Sequence, residues 1–335
     1  MQAPNHLGDV VMALPALARI AERHPGARID GVARPHVAPL LAMAGLPFRS
    51  IVVGRSGGWR AAWRLRAERY DRAYLFAPSF RAAAFAWLAG VRTRRGTPTD
   101  ARRFLLTEAT APVEAPGEHR IDFYLRIADP EWVGGEPPGP RLRVDEASRR
   151  ALEALMDDRK EGPTIGVFPG SKASSRRWPV ERYAALAGRM ARELDADVWV
   201  FGDRGETPTT ARVAAGAGAR GWDLGGRTTL PVLAAALARC RLLVTNDTGP
   251  MHLAAAVGTP IVAIFGSSDP RRTGPLGVPA RLLWRRELAC VPCLKNRCPR
   301  SGRGTFLPDA VNECLRLVEM EDAYEAVRAL WAARN

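Results

Sequence analysis

Nowhere does this chain run to about eighteen uninterrupted apolar residues, the length a membrane-spanning helix needs. The nearest approach, Met251 to Phe265, contains His252 and is cut by Gly258 and Pro260. The N-terminus lacks the basic start, apolar core and small-residue cleavage site of a secretory signal, so a cytoplasmic location is expected. No G-x-x-x-x-G-K-[ST] and no G-x-G-x-x-G follows a strand pattern, which excludes a P-loop and a dinucleotide fingerprint. Short-period repeats, low-complexity tracts and heptads are absent as well, so neither a solenoid nor a coiled coil is in question. Zinc-finger, helix-turn-helix and RNA-platform signatures are missing, which argues against nucleic acid as a partner. Lysine occurs only at positions 160, 172 and 295.

What remains is an Arg-rich chain of 335 residues, the right length for two α/β domains. At 47% hydrophobic and 25% charged it has an ordinary globular composition. The net charge of +14 points to an anionic partner, although abundant Arg with Ala also follows from genome composition. The local concentration is more telling. Twelve Arg lie between Arg55 and Arg103, against Glu68, Asp71 and Asp100.

Apolar residues at Val10, Ala13, Leu14, Leu17, Ile20 and Ala21 predict an amphipathic helix that His24-Pro25-Gly26 ends. Strands are expected at Ile29–Val32, Ile51–Val53 and Ala73–Phe76, with helical stretches between them. A turn-rich segment, Gly134 to Pro140, reads as a linker, and a polar helix from Asp145 to Asp157 follows. Alternation then restarts, with strands at Thr164–Phe168, Asp197–Phe201, Leu242–Thr245 and Ile261–Phe265. Strands alternating with helices imply parallel, doubly wound sheets. The reading is an N-terminal domain over 1–155 and a C-terminal one over 156–335, whose last helix packs back on the first domain. One element is missing: a central strand should precede the helix at Gly8-Asp9, and only six residues stand before Leu7. A misplaced start codon is the expected reason.

The strongest local signal is Leu242-Leu-Val-Thr-Asn-Asp-Thr-Gly-Pro-Met-His252. A buried strand runs into a tight turn in which Asp247 or Thr248 can cap and Pro250 can open a helix. Gly249 allows close backbone approach, and the helix start suits a diphosphate. An ordinary strand-turn-helix joint would look similar, but three other strand ends carry polar loops too. Pro169-Gly170-Ser171-Lys172 leads to Arg176-Arg177, Gly202 to Glu206 holds an acid suited to ribose hydroxyls, and Gly266-Ser267-Ser268-Asp269 closes the last. Four such loops together favour a nucleotide site.

On Pro4-Asn-His-Leu-Gly-Asp9-Val-Val-Met-Ala-Leu-Pro15, Pro169-Gly-Ser171 with Arg176-Arg-Trp-Pro179, Gly202 to Glu206, and Thr245 to His252, the chain resembles glycosyltransferase family 9, the lipopolysaccharide heptosyltransferases, nearest the heptosyltransferase II type. The resemblance implies a GT-B architecture, two Rossmann-like domains facing across a cleft, with the donor on the C-terminal domain and the acceptor on the N-terminal one. It implies inverting transfer of L-glycero-D-manno-heptose from ADP-heptose to the lipid A-linked inner core, with no required cofactor or metal. Asp9 matches the family's catalytic base. Arg176 stands where many members have Lys; Glu206 matches the ribose acid; and Asp247, Thr248 and Gly249 match the donor sugar and diphosphate loop. Ser171, Lys172, Asn246 and His252 fall in the same donor motifs. Another nucleotide-sugar donor in a different surface glycan, and a catalytically impaired member, remain as alternatives, and the oligomeric state is open.

Two features lie outside those motifs. Cys290, Cys293, Cys298 and Cys314 suit free thiols, a structural zinc or a disulfide. The basic stretch, with Arg55, Arg60, Arg64 and Arg95 as candidates, fits the carboxylates and phosphates of a glycolipid acceptor. Arg interleaved with Trp from Trp59 to Arg66 fits peripheral contact with an anionic inner leaflet, against a plain solvated basic face as the alternative.

Overall fold

A computed structural model describes residues 1–54, 58–110, 117–156, 162–299 and 312–333. The chain forms two compact units, Met1–Arg143 and Val144–Asn335. The division falls before the expected 155/156 boundary because the helix Glu146–Met156 packs on Leu230–Arg239 of the second unit, burying Leu152 and Met156.

In the second unit six parallel strands lie side by side: β6 (Thr164–Phe168), β7 (Asp197–Val200), β8 (Gly221–Asp223), β9 (Leu242–Asn246), β10 (Ile261–Phe265) and β11 (Ala280–Trp284). Their order is β11-β10-β9-β6-β7-β8. Strands β6, β9 and β10 are buried at every position, as near-continuous Val, Ile and Leu require of central parallel strands. The helix Val180–Glu193 buries Tyr183, Leu186, Ala187, Met190 and Ala191, one stripe at helical spacing. The last helix, Met320–Ala332, buries Ala323, Tyr324, Val327 and Leu330 against Val180–Glu193 and the sheet. The apolar face expected to return to the first domain is thus used by the second.

The first unit holds β1 (Ile29–Ala33), β2 (Phe48–Val52), β3 (Arg72–Leu75), β4 (Thr93–Gly96) and β5 (Glu108–Ala109), in a β1-β2 pair and a β3-β4-β5 sheet. No strand stands between them among the described residues, but the slot is not empty. Gln2 makes parallel bridges to both Val32 and Leu75. Its amide donates to Tyr74 O at 2.8 Å, its carbonyl accepts from Phe76 N, and Ala3 N donates to Val32 O at 2.9 Å. Met1–Ala3 thus occupy the place of the strand expected to be missing and carry the central pairing. With them the order is β2-β1-(Met1–Ala3)-β3-β4-β5, the same winding as in the second unit.

Charge burial fastens this unit. Arg49 donates to both Asp30 oxygens (3.1 and 2.6 Å), as does the Tyr70 hydroxyl to one. Arg19 and Arg23 reach the buried Asp129 at 2.8 and 2.7 Å. Burial works to raise both carboxyls, but their hydrogen bonds (Arg49 and Tyr70 on Asp30, Arg19 and the Glu131 amide on Asp129) overcome it and hold them below the ordinary 3.8. A depressed folded-state pKa adds stability that is present above the unfolded value and lost as pH falls through the folded one. Acid unfolding of this unit should therefore set in below about pH 4, and Asp129→Asn should lower its stability at neutral pH by about 2–4 kcal/mol. Denaturant melts at pH 7 and pH 3 check both.

Arg102, fully buried, donates to Thr97 O at 2.7 Å and to the carbonyls of Ala77 and Ser79; burial lowers its guanidinium to about 10. It stitches the chain leaving β3 to the chain leaving β4. The basic stretch is therefore not one solvated face. No helix among the described residues is long and apolar enough to cross a membrane.

Candidate functional site

In the second unit the strand order reverses between β6 and β9, and at such a switch point two neighbouring loops part to leave a crevice at the carboxyl edge. The loop after β6 (Pro169 to Trp178) and the turn after β9 (Asp247 to Gly249) flank it. Asn246 joins them. Its Nδ2 donates to Pro169 O at 2.6 Å, and its Oδ1 accepts from Trp178 N and the Tyr183 hydroxyl at 3.0 Å each. This amide is fully buried and engaged by protein on both polar atoms, so it positions the loops rather than offering itself to a ligand. That corrects its place among the donor-binding residues.

Asp247, buried, lies 3.2 Å from Arg176 Nη1 across the crevice. Burial pushes its carboxyl up, and the Arg176 charge and the Ser268 hydroxyl offset part of that rise. Asp247 Oδ2 is thus met by Arg176 Nη1 and faced by the Ser268 hydroxyl, whereas the buried Arg176 Nε has no hydrogen-bond partner. A buried guanidinium nitrogen left unsatisfied costs on the order of 1–3 kcal/mol, which is consistent with a group that completes its bonding on a ligand. Beside them Thr248 is the N-cap of the helix Gly249–Ala256, with extended backbone and no side-chain capping bond. Pro250, which has no N–H, stands in the first turn, and Met251 N turns back to Thr248 O at 3.1 Å, so few amides at that start are left for an outside acceptor. His252 is buried in the same turn.

Ser171 is buried with its carbonyl bound by Arg177 Nε at 2.6 Å, and Lys172 is exposed at the lip of the loop. Glu206 follows β7 in a short 3-10 turn with a capping box, its Oε2 accepting from Asp203 N at 3.1 Å. Burial pushes its carboxyl up and the Asp203 amide counters. Glu206 lies directly on Gly170: a Cβ there would fall 2.1 Å from Oε1. Gly170→Ala should thus displace the carboxylate, and, if Glu206 holds a nucleotide as the resemblance implies, weaken its binding about tenfold, the worth of one hydrogen bond to a charged group. Calorimetric titration with ADP measures this.

A brace that the sequence did not disclose holds the Arg176 turn. Ser175 Oγ donates to Lys295 O, Ser175 N to Asn296 O at 3.3 Å, and Leu294 N to Ser267 O at 2.8 Å; Ser267 Oγ meets Ser175 Oγ at 3.0 Å. The segment carrying Cys290, Cys293 and Cys298 is therefore docked, by its backbone, under the loop that presents Arg176. All four cysteines are free thiols. Burial first, then the neighbouring Cys298, Cys290 and Cys293, push the Cys314 thiol up to about 11. Among the described residues no three His, Cys, Asp or Glu groups are arranged to hold a metal ion, so the zinc expectation finds no site there. Cys240, the fifth thiol, is buried in the core and donates to Ala236 O at 3.2 Å.

In the first unit Asp9 sits in the opening turn of the helix Leu7–Arg23. The N-cap is His6, so Asp9 does not cap the helix, and among the described residues its carboxylate has no hydrogen bond or ion pair. It stands at the carboxyl edge, immediately after the Met1–Ala3 slot, which is that sheet's own switch point. A cavity of about 250 Å³ opens by the ends of β1 and β2, lined among others by Asn5, Arg34, Trp59 and Arg81 but not by Asp9. Arg34 and Arg81 were missed in the sequence. Arg34, directly after β1, was legible as a cation at a strand end. Of the acceptor candidates, Arg60 and Arg64 are exposed on the helix Gly58–Arg66 without lining that cavity, and Arg55 lies outside the described residues. Arg95 is corrected: its guanidinium is mostly buried, donating to Ile127 O at 2.8 Å and Arg126 O at 3.0 Å and pairing with Glu108. Those bonds commit it to the fold.

Comparison with known proteins agrees with this arrangement. Lipopolysaccharide heptosyltransferase 2 of Salmonella typhimurium is 29% identical over 299 residues, 84% of this chain and 86% of the relative. Lipopolysaccharide heptosyltransferase 1 of Pseudomonas aeruginosa is 28% identical over 88% of this chain and 85% of its own length. The solved structure of E. coli ADP-heptose lps heptosyltransferase II superimposes with a TM-score of 0.83 at 25% identity, covering 99% of this chain and 98% of that one. Two doubly wound parallel units are thus the GT-B pattern. The family model for glycosyltransferase family 9 (heptosyltransferase) matches residues 59–302, well over half of the sequence, and the chain belongs to that family of glycosyltransferases.

Proposed function

We propose that the protein transfers L-glycero-D-manno-heptose from ADP-heptose to the phosphorylated, lipid A-linked inner core of lipopolysaccharide, with inversion at the anomeric carbon. The observation that carries the reading is the buried Asp247–Arg176 pair at the second switch point, with Arg176 Nε unsatisfied, beside a helix start whose N-cap side chain makes no capping bond. In this account the diphosphate lies on the amides from Thr248 onward and on Arg176, with Lys172 at the lip. Glu206 accepts from the ribose hydroxyls, and Asp247 accepts from a hydroxyl of the heptose. The names of the relatives support the sugar and the acceptor.

The reaction is one displacement. An acceptor hydroxyl oxygen bonds to the anomeric carbon as the bond from that carbon to the phosphate oxygen breaks, and ADP departs with the electron pair. The hydroxyl proton passes to the Asp9 carboxylate. Negative charge grows on the leaving phosphate, where Arg176 and the helix start are already aimed, so the protein supplies the charge stabilisation without a metal in any step. Arg34 and Arg81, in the lining of the first unit's cavity, fit the acceptor's carboxylates and phosphates.

Calorimetric titration with ADP, UDP and GDP tests the donor assignment. Tight binding of ADP with at least about tenfold weaker UDP and GDP is expected, one lost polar contact at a base being worth that much. Equal binding of all three, or preference for UDP, would move the protein to a different donor and glycan.

A further inference from the structure

Five aromatic side chains of the first unit stand in water: Phe104 at 73% exposure, Trp59 at 58%, Trp63 at 56%, Trp87 at 54% and Phe80 at 42%. They are not scattered. Trp59 and Trp63, four residues apart, share one side of the helix Gly58–Arg66, and Phe80 and Trp87, seven apart, share one side of the helix Phe80–Leu88. The two helices pack side by side, and Trp59 lines the same cavity as Arg81, Ala84 and Leu88 of the second. The Phe104 ring meets that of Phe80 at 6.1 Å. The exposed aromatics thus gather on two packed helices and the turn beside them, and Trp59 brings the group to the wall of the cavity.

Arginine frames it. Arg60 and Arg66 lie over the rings of Trp59 and Trp63, at 5.2 and 5.5 Å. Arg64, Arg81 and Arg103 are exposed on the same helices and turn. Of the acids nearby, Glu68 pairs with Arg28 and Arg49, and Asp100 stands at the surface itself, accepting from Phe80 N at 2.6 Å, so the arginines outnumber it there. Large aromatics rarely face water in such density, and indole rings with cations among them match the headgroup region of a bilayer. There the ring enters the acyl boundary while the guanidinium meets phosphate.

We propose that this surface, formed by Trp59, Trp63, Phe80, Trp87 and Phe104 with their flanking arginines, seats the protein on an anionic lipid bilayer. The cavity mouth then opens at the plane from which a lipid-anchored acceptor projects. Seating needs no turnover, so its test stands apart from the donor assignment.

Full-length protein is floated with phosphatidylethanolamine vesicles, with and without about one third phosphatidylglycerol. It should rise with the anionic vesicles and stay behind with the neutral ones, and brominated acyl chains should quench its Trp fluorescence. The combined variant Trp63→Gln, Trp87→Gln, Phe104→Gln, which leaves the cavity lining intact, should bind at least about tenfold more weakly. Arg60→Glu with Arg64→Glu, on an exposed face, gives an independent variant that should also lose binding. Wild-type protein that stays behind, or aromatic variants that float unchanged, would overturn the proposal. So would sedimentation without lipid showing a dimer that the aromatic variant dissolves, since the surface would then join two copies of the chain.

Discussion

Asp9→Asn should lose about two to four orders of magnitude in turnover while binding ADP as the parent does. The substitution keeps the shape and removes only the ability to take a proton. Asp9 neither caps its helix nor pairs with another described residue, so no structural bond is lost and stability should stay within about 0.5 kcal/mol. A side chain placed at a sheet's switch point without a structural partner is what a proton acceptor requires. Steady-state kinetics beside calorimetry of ADP separate the two effects. Turnover close to that of the parent would remove Asp9 from the chemistry and leave the nucleotide site untouched.

Arg176→Met should lower turnover by about 10²–10³-fold, the usual cost of removing one aimed charge from a developing anion. It should also lower stability by about 1–3 kcal/mol, because Asp247 would be left buried without its counter-ion at 3.2 Å. The two effects come apart in a double variant. Asp247→Asn removes the buried charge, so Arg176→Met with Asp247→Asn should regain much of the stability and none of the turnover. A double variant as unstable as Arg176→Met alone would show that the pair is not coupled as described. Arg176→Met with undiminished turnover would mean that the leaving diphosphate is held elsewhere.

Much of this was legible because it is local. Continuous apolar runs with small polar loops at their ends identified β6, β9 and β10, and Thr248-Gly249-Pro250 marked a helix start after a strand. What escaped depends on contacts distant in sequence. Asn246 looked like a ligand group because its partners, Pro169, Trp178 and Tyr183, lie more than sixty positions away, and only the folded loops reveal that its amide is fully engaged. Arg95 and Arg102 could not be told from their exposed neighbours, because the carbonyls that bind them come from other elements. The edge strands β8 and β11, half-buried and without long apolar runs, gave no periodic signal. The brace from Lys295 and Asn296 to Ser175 works through backbone groups, to which residue identity gives no clue.

Incubating the purified protein with ADP-heptose and a Kdo-containing lipid A acceptor, and weighing the product by mass spectrometry, tests the central claim most directly. One heptose should be added to the glycolipid with one ADP released per transfer, and Asp9→Asn should show neither within the same time. An acceptor of unchanged mass, while another nucleotide sugar is consumed under the same conditions, would contradict it.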